Sequence, residues 1–464
     1  MMLSLLPAIA IPTLLGALVL AVLLREDRET GLLERLAFSY PLGVGLLTMQ
    51  IFLLGLFRVP LILAYTAGVP MIEIAALSVW AWRAKVALFP PLAFGLVREI
   101  TSPESSPLKK AALAFLWGWI AVKTGSVFLE ASLRPIYAWD VWANWSVAPK
   151  LFYQAKSLLL DAPPEDFFGR GPLSRFLPYP LNNHLQQLWI SLWNGGFDEV
   201  LVKLSSPFYL LSMAVVLYSM MHREIGRLAA LGLLAVFLSS PLLSYHAIEL
   251  YSDMPVSVYY LCALVAFLYA MRGRQAYWPL VGLFAAQALF TKDEALFFVL
   301  PLLLSAVTLV WRKYAGREKN AVLLKILLPL IYILPWYAFK ITHSLGIGAE
   351  SAQSDYTFVA HPETIIMIIR HITSMDNFGI FLVAFPVFMI AAGRPRKEFL
   401  YLFLPLVCYA LFFTLLYTFT SYYFGFFSNG TVFWRNVLTG YPSLCLLTAL
   451  LMKQMQETVR VPQP

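Results

Sequence analysis

A single carboxylate sits among three tryptophans in Tyr137-Ala138-Trp139-Asp140-Val141-Trp142-Ala143-Asn144-Trp145, directly after an apolar run. Tryptophan favours the headgroup level of a bilayer. An ionisable group at that level is costly, and by default it marks function. Asp140 is therefore the first candidate for a general base. Three more constellations hold charge at the ends of apolar runs. They are His246-Ala247-Ile248-Glu249-Leu250-Tyr251-Ser252-Asp253-Met254-Pro255, Thr291-Lys292-Asp293-Glu294 and Trp434-Arg435-Asn436. Acids and bases together suit the transfer of a group from a lipid phosphate. A carboxylate can take the proton of an acceptor hydroxyl or amine. Lysine and arginine can hold the leaving phosphate, whose charge grows in the transition state. In that chemistry Asp140 is the base, and Lys292 and Arg435 hold the donor phosphate. Asp253, with or without Glu249, orients the acceptor or binds a cation.

Each of these residues also has a plainer reading. Lys292-Asp293-Glu294 would be a solvated turn, and Glu249 a hydrated loop acid. Asp253 precedes Met-Pro at a helix start and would serve as an N-cap. Arg435 would snorkel from an apolar run. His184, His246, His361 and His371 show no HxxH or HExxH spacing, so no metal ligands are named, although a divalent cation stays open. Cys262, Cys408 and Cys445 lie inside apolar runs, as packing residues do, and offer no CxxC pair. Asn144-Trp145-Ser146 and Asn429-Gly430-Thr431 fit the glycosylation pattern, which arises often by chance.

The elements that must position these groups are membrane spans. Hydrophobic residues make up 60% of the chain and charged residues 13%, against about 25% charged in a soluble domain. The composition specifies an all-α, polytopic membrane protein. About thirteen runs qualify as spans: 3–24, 36–57, 61–82, 111–129, 200–221, 228–246, 254–271, 277–291, 295–311, 321–340, 377–392, 399–419 and 432–452. The first run has no basic residue before it and no A-x-A site after it, so it reads as a retained span. Of the 34 basic residues, about 22 fall on one side if the N-terminus is outside and the C-terminus cytoplasmic. The net charge of +8 is spread over many short loops, which fits topology and argues against nucleic acid.

Segment 183–195 is apolar but short, and it carries His184, Gln186 and Gln187. If it crossed the membrane, every later loop would invert. It is expected outside, as a juxtamembrane helix along the membrane surface. The stretch 130–199 then forms one long outer loop carrying Asp140. The chain divides into three N-terminal spans with a basic cytoplasmic loop (1–110), a catalytic core (111–340), and an outer segment 341–376 with the C-terminal spans (341–464).

Four of these segments resemble the GT-C superfamily of integral membrane glycosyltransferases, in the branch of protein O-mannosyltransferases and aminoarabinose transferases. Trp139-Asp140 with Trp145 and Lys150 is similar to the family's first outer loop. Tyr179-Pro180-Leu181 through Leu192, ending in Asp198-Glu199, is similar to its juxtamembrane helix. Tyr251-Ser252-Asp253-Met254-Pro255 is similar to its second outer-loop acid, and Thr291-Lys292-Asp293-Glu294-Ala295 to its Thr-Lys-acidic-Glu turn. The resemblance implies an inverting hexosyl- or pentosyltransferase with Asp140 as base and Asp253 near the donor phosphate or a metal. Its donor would be a polyprenyl-phosphate sugar. Its acceptor would be a lipid-linked glycan, a lipid or a protein at the outer face of the inner or plasma membrane. Trp139, Trp145, Lys150, His184, Glu249, Tyr251, Asp293 and Glu294 are the further candidates for substrate contact. The second loop lacks the family's Asp-x-Asp or Glu-x-Asp, because Glu249 and Asp253 are four apart.

Two other classes compete. A flippase or transporter of lipid-linked saccharides would place charge near the bilayer midplane and show internal repeats, whereas these acids gather at one face. A polymerase or ligase of O-antigen type would rest on outer-loop arginines, yet segment 341–376 holds only Arg370. A scaffold subunit would not need Asp140, Lys292 and Arg435 on one side.

Overall fold

The computed structural model describes residues 2–27, 29–86, 106–160, 179–343, 345, 357–423, 427–428 and 430–460. Most of the Pro-rich portion 162–180, with Asp166, and Asp355 in the late outer segment lie outside the described residues. Among the described residues the chain is helical without a strand, apart from one isolated bridge between Phe358 and Thr420.

Among the described residues nine helices are long and apolar enough to cross a membrane, or ten if one bent pair counts as a single span. In chain order the helices are α1 Leu5–Leu23, α2 Leu32–Leu56, α3 Leu63–Arg83, α4 Pro107–Leu133, α5 Val147–Ala155, α6 Asn182–Asn194, α7 Glu199–Ile225, α8 Arg227–Leu238 and α9 Pro241–Ile248. They continue with α10 Asp253–Met271, α11 Trp278–Leu289, α12 Leu296–Lys313, α13 Gly316–Thr342, α14 Glu363–Ser374, α15 Phe381–Ala392, α16 Lys397–Phe419 and α17 Thr431–Arg460. Two of the runs expected to cross, 277–291 and 377–392, form helices of only 12 residues each. At 1.5 Å per residue these reach about 18 Å, short of a hydrocarbon core of about 30 Å. The last helix has 30 residues, but Arg435, Asn436, Thr439 and Tyr441 make its first half more polar than a plain span.

A helix apolar all round must face protein or lipid on every side. α10, apolar on every face, is the central pillar, with 94% of its window buried. α3 and α4 are only 17% buried and form the rim. α1 and α2 cross at Gly16 and Gly43, where a Cβ on Gly43 would lie 1.6 Å from the Pro12 carbonyl oxygen. Small residues let helix backbones approach this closely.

The run 228–246 reads as one straight span, but it breaks by 70° between α8 and α9. Pro241 cannot donate to the preceding turn. Ser240 caps the new helix by accepting from the Leu243 N–H, and its hydroxyl donates to the Asn377 carbonyl at 2.7 Å. The expected juxtamembrane helix forms as α6, but it does not lie on a surface. Every residue from Asn182 to Leu192 is buried in protein. Most of its polar residues bond to neighbouring elements: Thr48 donates to Asn182 at 2.7 Å and Gln186 donates to the Tyr40 hydroxyl at 2.9 Å.

Candidate active site

α6 holds the segments that carry charge. Gln187 donates to the Trp145 carbonyl at 3.0 Å and accepts from Ser146 at 2.9 Å. Asn183 donates to the Leu250 carbonyl at 2.6 Å, and Asn182 donates to Thr291 at 2.7 Å. One buried polar helix thus fixes the loops bearing Asp140, Asp253 and Lys292. Buried polar groups that are all bonded specify a single arrangement.

Asp140 opens a π-helical turn, Val141–Trp145. Such turns occur often at functional sites. Asn144, one turn on, donates to one carboxylate oxygen at 2.6 Å, and the Trp145 indole donates to the other at 3.3 Å. The three tryptophans divide their work. Trp139 and Trp142 are exposed, whereas Trp145 is buried against Tyr179 and His184, with ring centroids 5.0 and 5.4 Å apart.

The structure brings Asp140, Arg435, Asp253 and Lys292 into one continuous hydrogen-bonded chain. Arg435 donates from Nη1 to Asp140 and from Nε to Asp253, both at 2.9 Å. Lys292 donates to the second oxygen of Asp253 at 2.8 Å and lies 3.5 Å from Glu294. Arg435 also lies over the Tyr251 ring at 4.8 Å. Burial holds the Tyr251 phenol well above its ordinary range. Accessibility differs among the four: the Asp140 side chain is 26% exposed, Arg435 19%, Lys292 6% and Asp253 0%. Asp140 is the most accessible of the four.

The other expected contact residues separate into paired and buried positions. Lys150 pairs with Glu199 at 2.8 Å, and Asp293 with Lys340 at 2.9 Å. Glu249 is fully buried against Lys203 at 3.2 Å. Burial pushes its carboxyl above the usual carboxylate range, and Lys203 pulls it back. His184 is buried, and loss of hydration lowers its pKa to about 4. Lys203 and Lys340 were not singled out in the sequence. Both lie inside apolar runs, and a lysine there is itself a signal.

Both oxygens of Asp253 are bonded to cations of the chain, and no group of three His, Cys, Asp or Glu side chains suited to a metal occurs among the described residues. Asp253 as placed does not fit a metal ion.

Helices α14 to α17 form an apolar groove of about 440 Å³, lined by Phe403, Leu406, Phe413, Tyr417, Asn436 and Gly440 among others. Its polar edge is Asn436, which donates to Tyr417 at 2.6 Å and accepts from Tyr409 at 3.3 Å.

A family profile described as dolichyl-phosphate-mannose-protein mannosyltransferase matches residues 178–339. That segment contains Asp253 and Lys292 but neither Asp140 nor Arg435. Among solved structures, the chain is similar to ArnT from Cupriavidus metallidurans in the apo state. The TM-score is 0.50 and the identity 15%, over 76% of this chain and 60% of that one. The structure of the same protein bound to undecaprenyl phosphate aligns with TM-score 0.49 and 15% identity, over 75% of this chain and 60% of that one. The chain therefore spans 60% of the length of the structures it matches. No curated protein sequence matches it significantly. The family match over 178–339 and the shared helical fold bear out the resemblance to the GT-C superfamily of integral membrane glycosyltransferases.

Proposed function

We propose that the chain is an inverting membrane glycosyltransferase. It would move a sugar from a polyprenyl-phosphate donor to an acceptor hydroxyl or amine at the extracytoplasmic face. The observation that carries this reading is the chain Asp140–Arg435–Asp253–Lys292, which sets an accessible carboxylate beside two clustered cations. Two supports stand beside it. The matching family profile names a polyprenyl-phosphate sugar as donor. The apolar groove edged by Asn436, the residue after Arg435 on α17, is a place where a prenyl chain could lie.

In the reaction, the acceptor O–H or N–H gives its proton to Asp140 while the acceptor atom attacks the anomeric carbon. The bond from that carbon to the phosphate oxygen breaks, and its electron pair stays on the phosphate. Arg435 and Lys292 hold the added negative charge, where fixed cations in a dry site act strongly. One displacement inverts the anomeric centre. Asp253 touches no substrate in this scheme; it holds the two cations side by side and limits their mutual repulsion. Arg435 also makes donor binding felt at the base. A phosphate that draws Arg435 towards itself weakens the Arg435–Asp140 bond and frees Asp140 for the acceptor.

The test is turnover by purified protein with a panel of polyprenyl-phosphate sugars, assayed for a new glycosidic bond. Asp140→Asn should abolish transfer while the protein still folds and binds polyprenyl phosphate. Full activity in that variant removes Asp140 as the base. Movement of donor across liposomes without a new bond would favour a flippase.

A further inference from the structure

The geometry points to Lys203 and Glu249 as a buried clip that positions Asp140 relative to Asp253, an inference that rests on the proposed transferase reading. Lys203, in the first turn of α7, and Glu249, between α9 and α10, are both 0% exposed. The Lys203 ammonium donates to Glu249 at 3.2 Å and to the Pro135 carbonyl at 3.1 Å. Pro135 lies on the stretch that leads from α4 to Asp140. Glu249 lies on the stretch that leads from α9 to Asp253. One ammonium therefore ties together the two acid-bearing segments, neither of which is in a helix where it is tied.

Further contacts run the same way. The Glu249 carboxylate lies close enough to the backbone amides of Ala138 and Tyr137 to interact with their dipoles. The Lys203 ammonium lies 5.5 Å from the Tyr137 ring centroid. The Tyr245 ring bridges Tyr137 and Tyr251 at 6.0 and 5.9 Å, and Tyr251 lies under Arg435. No hydrogen bond or ion pair joins the clip to Asp140, Asp253, Lys292 or Arg435, so it acts by placing the segments that carry them.

A buried ion pair is a poor source of stability, since an apolar pair of the same volume often does as well or better. Its value here is the location of the Pro135 carbonyl. A misplacement of about 1 Å at a reacting group costs on the order of 100-fold in rate.

The experiment compares Lys203→Met, Glu249→Gln and the double variant with wild type in detergent or nanodiscs. Each single variant leaves an unpaired buried charge and should melt earlier. The double variant removes both charges and should regain the wild-type melting temperature. It should still lose about 10- to 100-fold in kcat, with the donor KM within about twofold because the phosphate clamp is untouched. Hydrogen exchange provides a reading independent of turnover: the peptide covering 135–141 should exchange faster in the double variant, with α10 and α17 unchanged. A double variant with both wild-type kcat and unchanged exchange over 135–141 overturns the clip. If wild type turns over no donor in the panel, the transferase reading fails first, and unchanged exchange over 135–141 then overturns the clip on its own.

Discussion

The two ends of α10 and α17 carry charge in different ways. At the far end, each buried acid is saturated by arginine or lysine. Asp27 accepts from Arg274 at 2.7 Å and Glu34 from Arg223 at 3.1 Å. Glu224 accepts from both Arg272 and Lys453, at 3.2 and 3.0 Å. These bonds join the α1–α2 connection to the α10–α11 connection, α2 to α7, and α7 to both the α10–α11 connection and α17. The near end repeats the far-end pattern Glu398–Arg272–Glu224–Lys453 with more deeply buried cations: Arg435 is 19% and Lys292 6% exposed, against 27% and 32% for Arg272 and Lys453. Cations near water are screened and fix loops, whereas buried cations act strongly on a bound charge. The comparison separates charge that holds the fold from charge available for chemistry.

The largest expected effect is at the near end. Asp140→Asn should lower kcat by about 10²- to 10⁴-fold, with a near-wild-type melting temperature, measured by transfer assay and thermal denaturation. A melting temperature that falls with the rate would make Asp140 a structural residue like those of the far end. Arg435→Lys should follow. A single ammonium does not reproduce the guanidinium fork that spans Asp140 and Asp253, so kcat should fall by about 100-fold and the donor KM should rise. The far end should show the converse. Arg223→Met leaves Glu34 buried with only the Tyr269 hydroxyl as partner among the described residues, which should cost about 3 kcal/mol of stability. Activity per folded molecule should not change.

Two smaller effects sharpen the contrast. His184 is neutral in the fold, with its pKa lowered by burial to about 4. Its unfolded pKa is about 6.5, so the unfolded state binds the extra proton between those values. Stability is complete above pH 6.5 and falls as pH drops towards 4, by at most about 3 kcal/mol. His184→Gln should flatten that part of the stability–pH curve. Arg396 and Glu457 pair on the exposed surface at 55% and 40% exposure. Arg396→Ala should change stability by less than about 1 kcal/mol, which sets the scale for a charge pair that is neither buried nor shared.

The legible part of the site consisted of charges at the ends of apolar runs. Asp140, Asp253, Lys292 and Arg435 stand out in sequence because desolvating them is expensive, and the structure places all four in contact. Lys203 and Lys340 were hidden because each sits within a run whose average hydropathy absorbs one lysine. The helical fold was legible from composition, but the count of spans was not. Runs 277–291 and 377–392 borrow apolar flanks that the chain does not build into their helices. The break at Ser239-Ser240-Pro241 was written in the residues, yet hydropathy on both sides concealed it. α6 read as a surface helix because its polar residues look suited to headgroups. Only the packed structure reveals that their partners are Tyr40, Thr48, Trp145, Leu250 and Thr291.

α10 and α17 are joined at both ends: by Asp253 and Arg435 at one, and through Glu224, which accepts from Arg272 and Lys453, at the other. The tethers on α17 lie about 27 Å apart along a helix of 1.5 Å rise per residue. Inserting one residue between them would turn Arg435 by about 100° relative to Lys453, and no loop could absorb that rotation. Substitution in the middle of either helix can drift under selection for packing volume alone, but insertion or deletion there breaks one tether or the other. Related sequences that keep this site should therefore vary in length in their connections and hold both of these helices to a fixed count.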